Sequence, residues 1–272
     1  MRGMGTGHSP SVRIATFNIL HGRSPEDDRV DPDRFAEAVH KLDADVLCLQ
    51  EVDRNQPRSL HADLTAVAAD AMNAVDHRFV AALSGVPGAA WLAATGEERP
   101  DSAAYGIALL SRYQVTGWQV MRLAPVPVRV PLRFGGRRPE WVRDEPRVAV
   151  VAEVAAPGGP LRVATTHLTF IRGWNSRQLR VLMRSLKRGA AAPPLVLTGD
   201  LNMGPLRAGH LSGLRPLAVG PTFPADEPTE QIDHILTDSV SLESTADEPV
   251  RLPLSDHRAL VADVRAWEDR SS

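Results

Sequence analysis

Short apolar runs dominate this chain, and their brevity and β-branched content predict buried strands. Such runs fall at Val12–Asn18 (VRIATFN), Asp45–Gln50 (DVLCLQ), His77–Leu83, Tyr105–Ser111, Val115–Met121 and Val148–Val154. Others lie at Leu161–His167 (LRVATTH), Leu195–Gly199 (LVLTG), Gln231–Leu236 (QIDHIL) and Ala259–Val264. Helical spacing is rarer. Asp31–Leu42 places Phe35, Val39 and Leu42 on one face, with Asp31 as an N-cap and Pro32 at the first helical position. His61–Asn73 aligns Leu64, Val67, Ala68 and Ala71, and Gln178–Leu186 predicts a further helix. Between Arg122 and Glu145 the pattern gives way to a Pro-, Arg- and Gly-rich connection, long enough to predict a functional or mobile loop.

Strands outnumber helices and several follow one another directly, which argues against a doubly wound parallel sheet. The pattern predicts mixed or antiparallel sheets with helices on their outer faces, in a single domain over 12–267 behind a flexible tail over 1–11. A chain of 272 residues buries one substantial core, and 43% hydrophobic with 24% charged residues is ordinary for a soluble globular protein. No apolar run approaches the roughly 20 residues that span a bilayer, and the polar, Gly-rich start has no signal-peptide core. Cys48 stands alone, which excludes an intramolecular disulfide and fits a reducing compartment. A cytoplasmic, monomeric enzyme is the expectation.

A net charge of −2 is no signature of a nucleic-acid-coating protein, but the charge is unevenly spread. All basic residues except Lys41 and Lys187 are arginines; residues 112–147 hold eight arginines, and 172–188 hold five with no acid. Residues 216–250 hold eight acids and no Lys or Arg. Genomic base composition is the plainer reading of the overall preference for Arg. The local clusters are a different matter, because the planar guanidinium fork suits phosphate and carboxylate.

Acidic and amide groups recur where the apolar runs end. Asn18 closes VRIATFN, Glu51 follows DVLCLQ, His167 closes LRVATTH, and Asp200 and Asn202 follow LVLTG. Asp233 lies within QIDHIL, and Asp256 with His257 precedes the final strand. Groups at strand ends are held by a sheet yet face a cleft, which suits catalysis. Carboxylates from separate strands suffice for a hard divalent cation that keeps several waters. No HExxH or cysteine–histidine cluster points to zinc. Singly, each residue has a plainer reading: Glu51 as a solvated charge, Asp200 and Asn202 as a turn, His167 as a core histidine. Asp256-His257 is stronger, since an Asp that orients a His is a recurrent catalytic pair.

In order, ATFNILHGR, DADVLCLQEVDRN, YGIALLSR, EPRVAV, ATTHL, TGDLN, TFP, QIDHIL and LSDHRAL closely resemble the endonuclease/exonuclease/phosphatase superfamily. The similarity runs from about Val12 to Val264, and GDLN with the terminal SDH is its most specific part. The resemblance implies a four-layered α/β sandwich of two mixed, mainly antiparallel sheets flanked by helices, with the site at one end. It implies Glu51 as the main metal carboxylate, assisted by Asn18, with Asp233 and Asp256 completing the acidic cluster. Asp200 would orient or deprotonate water, Asn202 would position it, and His167 would contact the phosphate or leaving group. Asp256 would fix the tautomer of His257, which would stabilise charge on the phosphoryl oxygens.

Departures narrow the subgroup. Asp233-His234 stands where inositol 5-phosphatases carry Asp-Arg, and Thr222-Phe223-Pro224 lacks the Trp that follows it in many bacterial relatives. Arg147 is placed either at substrate or against Glu145, and Arg137 and Arg138 are candidate substrate contacts from the 122–145 loop. The reading that follows is Mg²⁺- or Mn²⁺-dependent hydrolysis of a phosphate ester, first of all a phosphodiester, with nucleic acid among the candidate substrates. The alternative is a phosphatase or phospholipase-like enzyme on a small or lipid phosphate. A binding module that had lost its activity would have no reason to keep Glu51, Asp200, Asn202, Asp233, Asp256 and His257 together.

Overall fold

The computed structural model describes residues 11–132, 139–187, 189 and 192–266. The tail expected over 1–11 falls, apart from Ser11, outside these residues, as do Arg137 and Arg138. In chain order the first half comprises β1 (Val12–Asn18), α1 (Pro32–Leu42), β2 (Val46–Arg54), α2 (Leu64–Met72), β3 (Asp76–Gly85), β4 (Trp91–Ala93) and β5 (Ala104–Ser111). Then come β6 (Val115–Leu123), β7 (Val130–Leu132), β8 (Glu140–Val142), β9 (Arg147–Ala156), β10 (Gly159–His167) and α3 (Trp174–Leu186). The chain continues through β11 (Leu195–Asp200), α4 (Pro205–Ser212), β12 (Arg215–Pro216), β13 (Asp233–Thr237), β14 (Leu242–Val250) and β15 (Ala259–Ala266).

Among the described residues the strands form two large sheets, in the orders β14-β15-β1-β2-β5-β3-β4 and β12-β13-β11-β10-β9-β6, and a two-stranded ribbon, β7-β8. Alternation along each strand decides which core it feeds. Ile14, Val46, Cys48 and Leu109 from the first sheet meet Val150, Val163, Val196 and Ile235 from the second. The other face of the first sheet, with Phe17, Leu47 and Leu49, is covered by Phe35 and Leu42 of α1 and by Leu64 and Met72 of α2. The outer face of the second, with Val151, Ala164 and Leu197, is covered by Leu179 and Leu182 of α3 and Ala208 of α4. Helices, sheet, sheet and helices make the four-layered α/β sandwich.

Helix starts follow from capping chemistry. Asp31 accepts from Asp33 N and Arg34 N, and Asp63 accepts from Thr65 N and Ala66 N, so α2 begins at Leu64 rather than at His61. The 122–145 connection is not structureless. Asp144 accepts from Val126 N (2.8 Å) and Thr169 Oγ1 (2.6 Å), Gln178 donates to Ala124 O (3.0 Å), and β7 pairs with β8 beyond that anchor. No helix among the described residues is long and apolar enough to cross a membrane.

Among the described residues only β1–β2 and β10–β11 pair in parallel, and their neighbours run antiparallel. The β10–β11 pair depends on Gly199, at φ 124°, where a Cβ would stand 2.0 Å from Thr166 O. Overpacking against a strand backbone, added to a conformation that disfavours a Cβ, predicts that Gly199→Ala loses about 3 kcal/mol in urea unfolding. Wild-type stability in that variant would show that β11 has room to shift.

Candidate active site

Both parallel pairs end at the same edge of the sandwich. There Asn18 lies opposite Gln50 and His167 opposite Asp200, while β13 starts with Asp233 paired to Asp200. Inward-facing positions change along these strands from aliphatic to hydroxyl to functional: Ile14, Thr16 and Asn18; Val163, Thr165 and His167; Val196, Thr198 and Asp200. Gln50 bridges the sheets beneath the site, donating at 3.1 Å to Thr16 Oγ1 and at 3.1 Å to Thr165 Oγ1.

Glu51 does not close its strand. β2 runs on to Arg54, and its pairing with β5 slips between Gln50 and Val52, so Glu51 is the extra residue of a bulge. Its φ of 57° is left-handed, a conformation that costs a residue with a Cβ about 1–2 kcal/mol. Asn202 is left-handed as well, at φ 51°. Both line a cavity of about 630 Å³ together with Tyr105, Arg147, His167, Asp200 and His257.

One amide ties the carboxylates together. Asn18 Nδ2 donates to Glu51 Oε1 (3.0 Å) and to Asp200 Oδ2 (3.1 Å), while its carbonyl oxygen accepts from Leu20 N (3.2 Å). Asp200 Oδ1 accepts from Asn202 N (2.9 Å). Asn202 Nδ2 donates to Leu168 O (2.9 Å), and Asn175 Nδ2 donates to Asn202 O (2.8 Å). Burial and then the charge of Asp233 raise Asp200 to about 7, against His257, Asn18 and Asn202, which lower it. Burial also raises Glu51.

The two histidines are pushed apart. His257 Nδ1 stands 2.9 Å from Asp233 Oδ2 and its Nε2 4.0 Å from Asp200 Oδ2. Burial pulls His257 down, but Asp233, Asp200 and Asp256 outweigh it and hold the imidazole at about 10. Burial, Arg147 and His257 hold His167 well below its usual range. Arg147 Nη1 lies 3.3 Å from His167 Nδ1, and His167 Nε2 lies 3.5 Å from Asp200 Oδ2. Neutral His167 therefore carries its proton on Nε2, toward Asp200.

The carboxylate expected from Asp256 comes from elsewhere. Asp256 is half-buried, makes no side-chain hydrogen bond to His257 among the described residues, and lines a separate cleft with Glu26 and Arg251. Adjacency in sequence brought Asp256 and His257 together as letters, but their side chains leave the backbone in different directions. Asp233, 24 positions away, holds the ring. Among the described residues the Asp256 side chain bears on the site through its charge, which raises both His257 and Glu51. Arg147 meets both of its expected neighbours, lining the cavity while Nη2 lies 3.8 Å from Glu145 Oε2.

The profile of the Endonuclease/Exonuclease/phosphatase family matches residues 15–257. The chain belongs to this family. Members typically bind a divalent metal and hydrolyse phosphate esters. Among solved structures, an endonuclease/exonuclease/phosphatase from Beutenbergia cavernae is similar at 24% identity and TM-score 0.68, over 97% of this chain and 73% of that one. A mannosyl-6-phosphatase from Bacteroides thetaiotaomicron is similar at 18% identity and TM-score 0.63, over 93% and 99%. Sphingomyelinase C from Streptomyces griseocarneus is similar at 18% identity and TM-score 0.58, over 94% and 99%. These likenesses are in fold. A comparison with curated protein sequences returns no match.

The donor set fits the hard divalent cation of the family. Asp233 Oδ1 is buried with no hydrogen-bond partner, and the one hydrogen bond that Glu51 receives from a side chain comes from Asn18. Asp200, Asp233 and His257 could also gather round an ion, their ligand atoms lying within 4.8 Å of one another. Since His257 Nδ1 is engaged by Asp233, oxygen remains the principal donor. Sequence reasoning missed much of the cavity wall. Tyr105 lay inside YGIALLSR without a role, and Phe170, Arg172, Asn175 and Arg207 stand on loops and helix starts that follow no apolar period.

Asp233→Asn should cost nearly as much kcat as His257→Ala, about 10² to 10⁴, and Asp256→Asn far less. The reverse ranking in steady-state kinetics would restore Asp256 to the histidine. Proton linkage gives a second expectation. A His whose folded pKa is raised stabilises fully below pH 6.5 and loses that contribution as pH climbs towards about 10. Chelator-treated protein should thus lose urea resistance between pH 7 and 9.5, and His257→Ala should show a flatter profile.

Proposed function

We propose that the protein hydrolyses a phosphodiester by attack of water at phosphorus, with Mg²⁺ or Mn²⁺ held by Glu51 and with Asn18 beside it. One observation carries the preference for a diester: the cavity is lined on both flanks of the Asp200–His167 pair. Glu145 and Arg147 of the β9 side stand on one flank, and Phe223, Glu230 and Ile232, ahead of β13, on the other. A phosphorus between them carries a group on each side.

The bound ion would supply Lewis-acid polarisation of a phosphoryl oxygen. Asp200, raised towards neutrality, takes the proton of the attacking water. Asn202 Oδ1, which has no hydrogen bond among the described residues, orients that water. His257, kept cationic by Asp233, and Arg147 neutralise charge on the phosphoryl oxygens. His167, with Nε2 3.5 Å from Asp200 Oδ2, offers its Nε2 proton to a phosphoryl or leaving-group oxygen.

A phosphomonoester is the second reading. Arg172 and Arg207 at the cavity wall have no carboxylate partner among the described residues, and Arg207 is steered by Ser176 Oγ (2.7 Å and 3.0 Å). Two guanidinium groups without a carboxylate partner suit a dianion. With Mg²⁺ or Mn²⁺, kcat/KM should be about tenfold or more higher for bis(p-nitrophenyl) phosphate than for p-nitrophenyl phosphate. A monoester preference turns the reading to phosphatase. Exhaustive chelation should abolish turnover, and full activity after it would sink the metal assignment. Glu51→Gln should raise the metal concentration needed, whereas Asp200→Asn should lower kcat by about 10³ with that concentration unchanged.

A further inference from the structure

A second cleft, of about 470 Å³, opens where β3 of the first sheet meets β6, the edge strand of the second. Arg54, Arg78 and Arg122 line it. None of them has a carboxylate partner among the described residues. Arg54 is held over the Phe79 ring at 4.7 Å, Arg78 over the Trp118 ring at 5.8 Å, and Arg122 donates to Ala81 O at 3.2 Å. Rings and carbonyls fix a guanidinium in place without cancelling its charge. The acid in the lining, Glu98, is committed to Thr95 N, Thr95 Oγ1 and Gly96 N. Gly96, at φ 97°, has no side chain where Arg122 Nη2 would lie 3.0 Å from a Cβ, so the guanidinium approaches the loop closely. Arg54 Nε is buried with no hydrogen-bond partner. A concave site with three cations against one carboxylate is built for an oxyanion.

Two shared walls connect this cleft to the active site. On β2, Arg54 lies three residues beyond Glu51, about 10 Å along a strand, and it pairs with Ala104 next to Tyr105 of the cavity. On β6, Arg122 precedes Leu123, which pairs with Arg147 of the cavity. We propose that the cleft binds a non-reacting phosphate of a single-stranded phosphodiester chain whose scissile phosphate occupies the active-site cavity. The proposal rests on the diester reading above and adds the substrate class. A duplex, stiff over about 50 nm, does not turn from a recessed cavity into a side cleft within about 10 Å, whereas a single strand does.

The test is anisotropy of a short fluorescent oligo(dT) with the full chain in EDTA, where hydrolysis is silent. Arg78→Gln, whose guanidinium makes no hydrogen bond, should weaken binding about tenfold. The slope of log affinity against log salt should become shallower by about 0.7 for each arginine removed from Arg54, Arg78 and Arg122. Unfolding midpoints and circular dichroism identify any variant that misfolds, and Arg78→Gln alone then decides. Unchanged affinity and slope overturn the proposal, and so does a loss confined to anionic phosphatidylserine vesicles. Wild-type turnover of bis(p-nitrophenyl) phosphate is measured separately. Arginine-dependent oligonucleotide binding without diester turnover sinks the functional reading and supports the cleft; turnover without such binding sinks the cleft alone.

Discussion

Everything at the active end of this protein depends on carboxylates taken out of water between two apolar sheets. Asp233 and Asp200 are 0% and 2% exposed, and a buried carboxylate costs several kcal/mol unless a donor or cation compensates it. Donors are few. The two amide hydrogens of Asn18 are divided between Glu51 and Asp200, and His257 is left to answer Asp233. What remains uncompensated appears as Asp200 and Glu51 raised above the usual carboxylate range and one imidazole held cationic. The same crowding forces His167, beside Arg147 and His257, to stay neutral. Two histidines within one cavity thus acquire opposite charge states from burial and from their neighbours, which is how one site can hold both a cation and a neutral donor.

The fold supports that arrangement through strand direction. Two parallel pairs packed face to face bring four C-terminal strand ends to one edge, and the antiparallel strands beside them return Asp233 and His257 to the same place. Close packing of the cores behind these ends lets Glu51 and Asn202 keep left-handed conformations that a freer chain would leave. At Glu51, a residue that seldom adopts this conformation, the strain is held by the paired strands on either side.

Much of this was legible in the sequence because the period of a strand is two. Reading VRIATFN or LVLTGD with that period carries the eye from aliphatic through Thr to the functional group, and the strand ends were found accordingly. Glu51 was located but its bulge was not, since a register slip depends on the partner strand. Asp256 was paired with His257 because they adjoin, whereas the carboxylate on the ring comes from β13. The β14 strand escaped notice because LESTADEPV has neither apolar alternation nor a buried face along its length. Helix α4 is short, carries little apolar period and has its Pro205 start beside the GDLN turn. Arg54, Arg78 and Arg122 come from three strands, so no window of sequence could have grouped them.

The distribution of charge closes the account of how such a site selects a ligand. Strand-end groups suffice for chemistry on any phosphate ester, so selection falls to what surrounds them. On the β3–β6 side, guanidinium groups are held by rings and carbonyls and stay available. On the opposite edge of the first sheet, β14 exposes Asp247 and Glu248 and carries Pro249, features that blunt an edge strand against pairing with another chain. Those same carboxylates repel an anionic chain. On the proposed reading, an extended polyanion reaching the cavity would meet guanidinium groups on the β3–β6 side and carboxylates on the β14 side, so a protein of net charge −2 would orient such a chain without a basic surface overall.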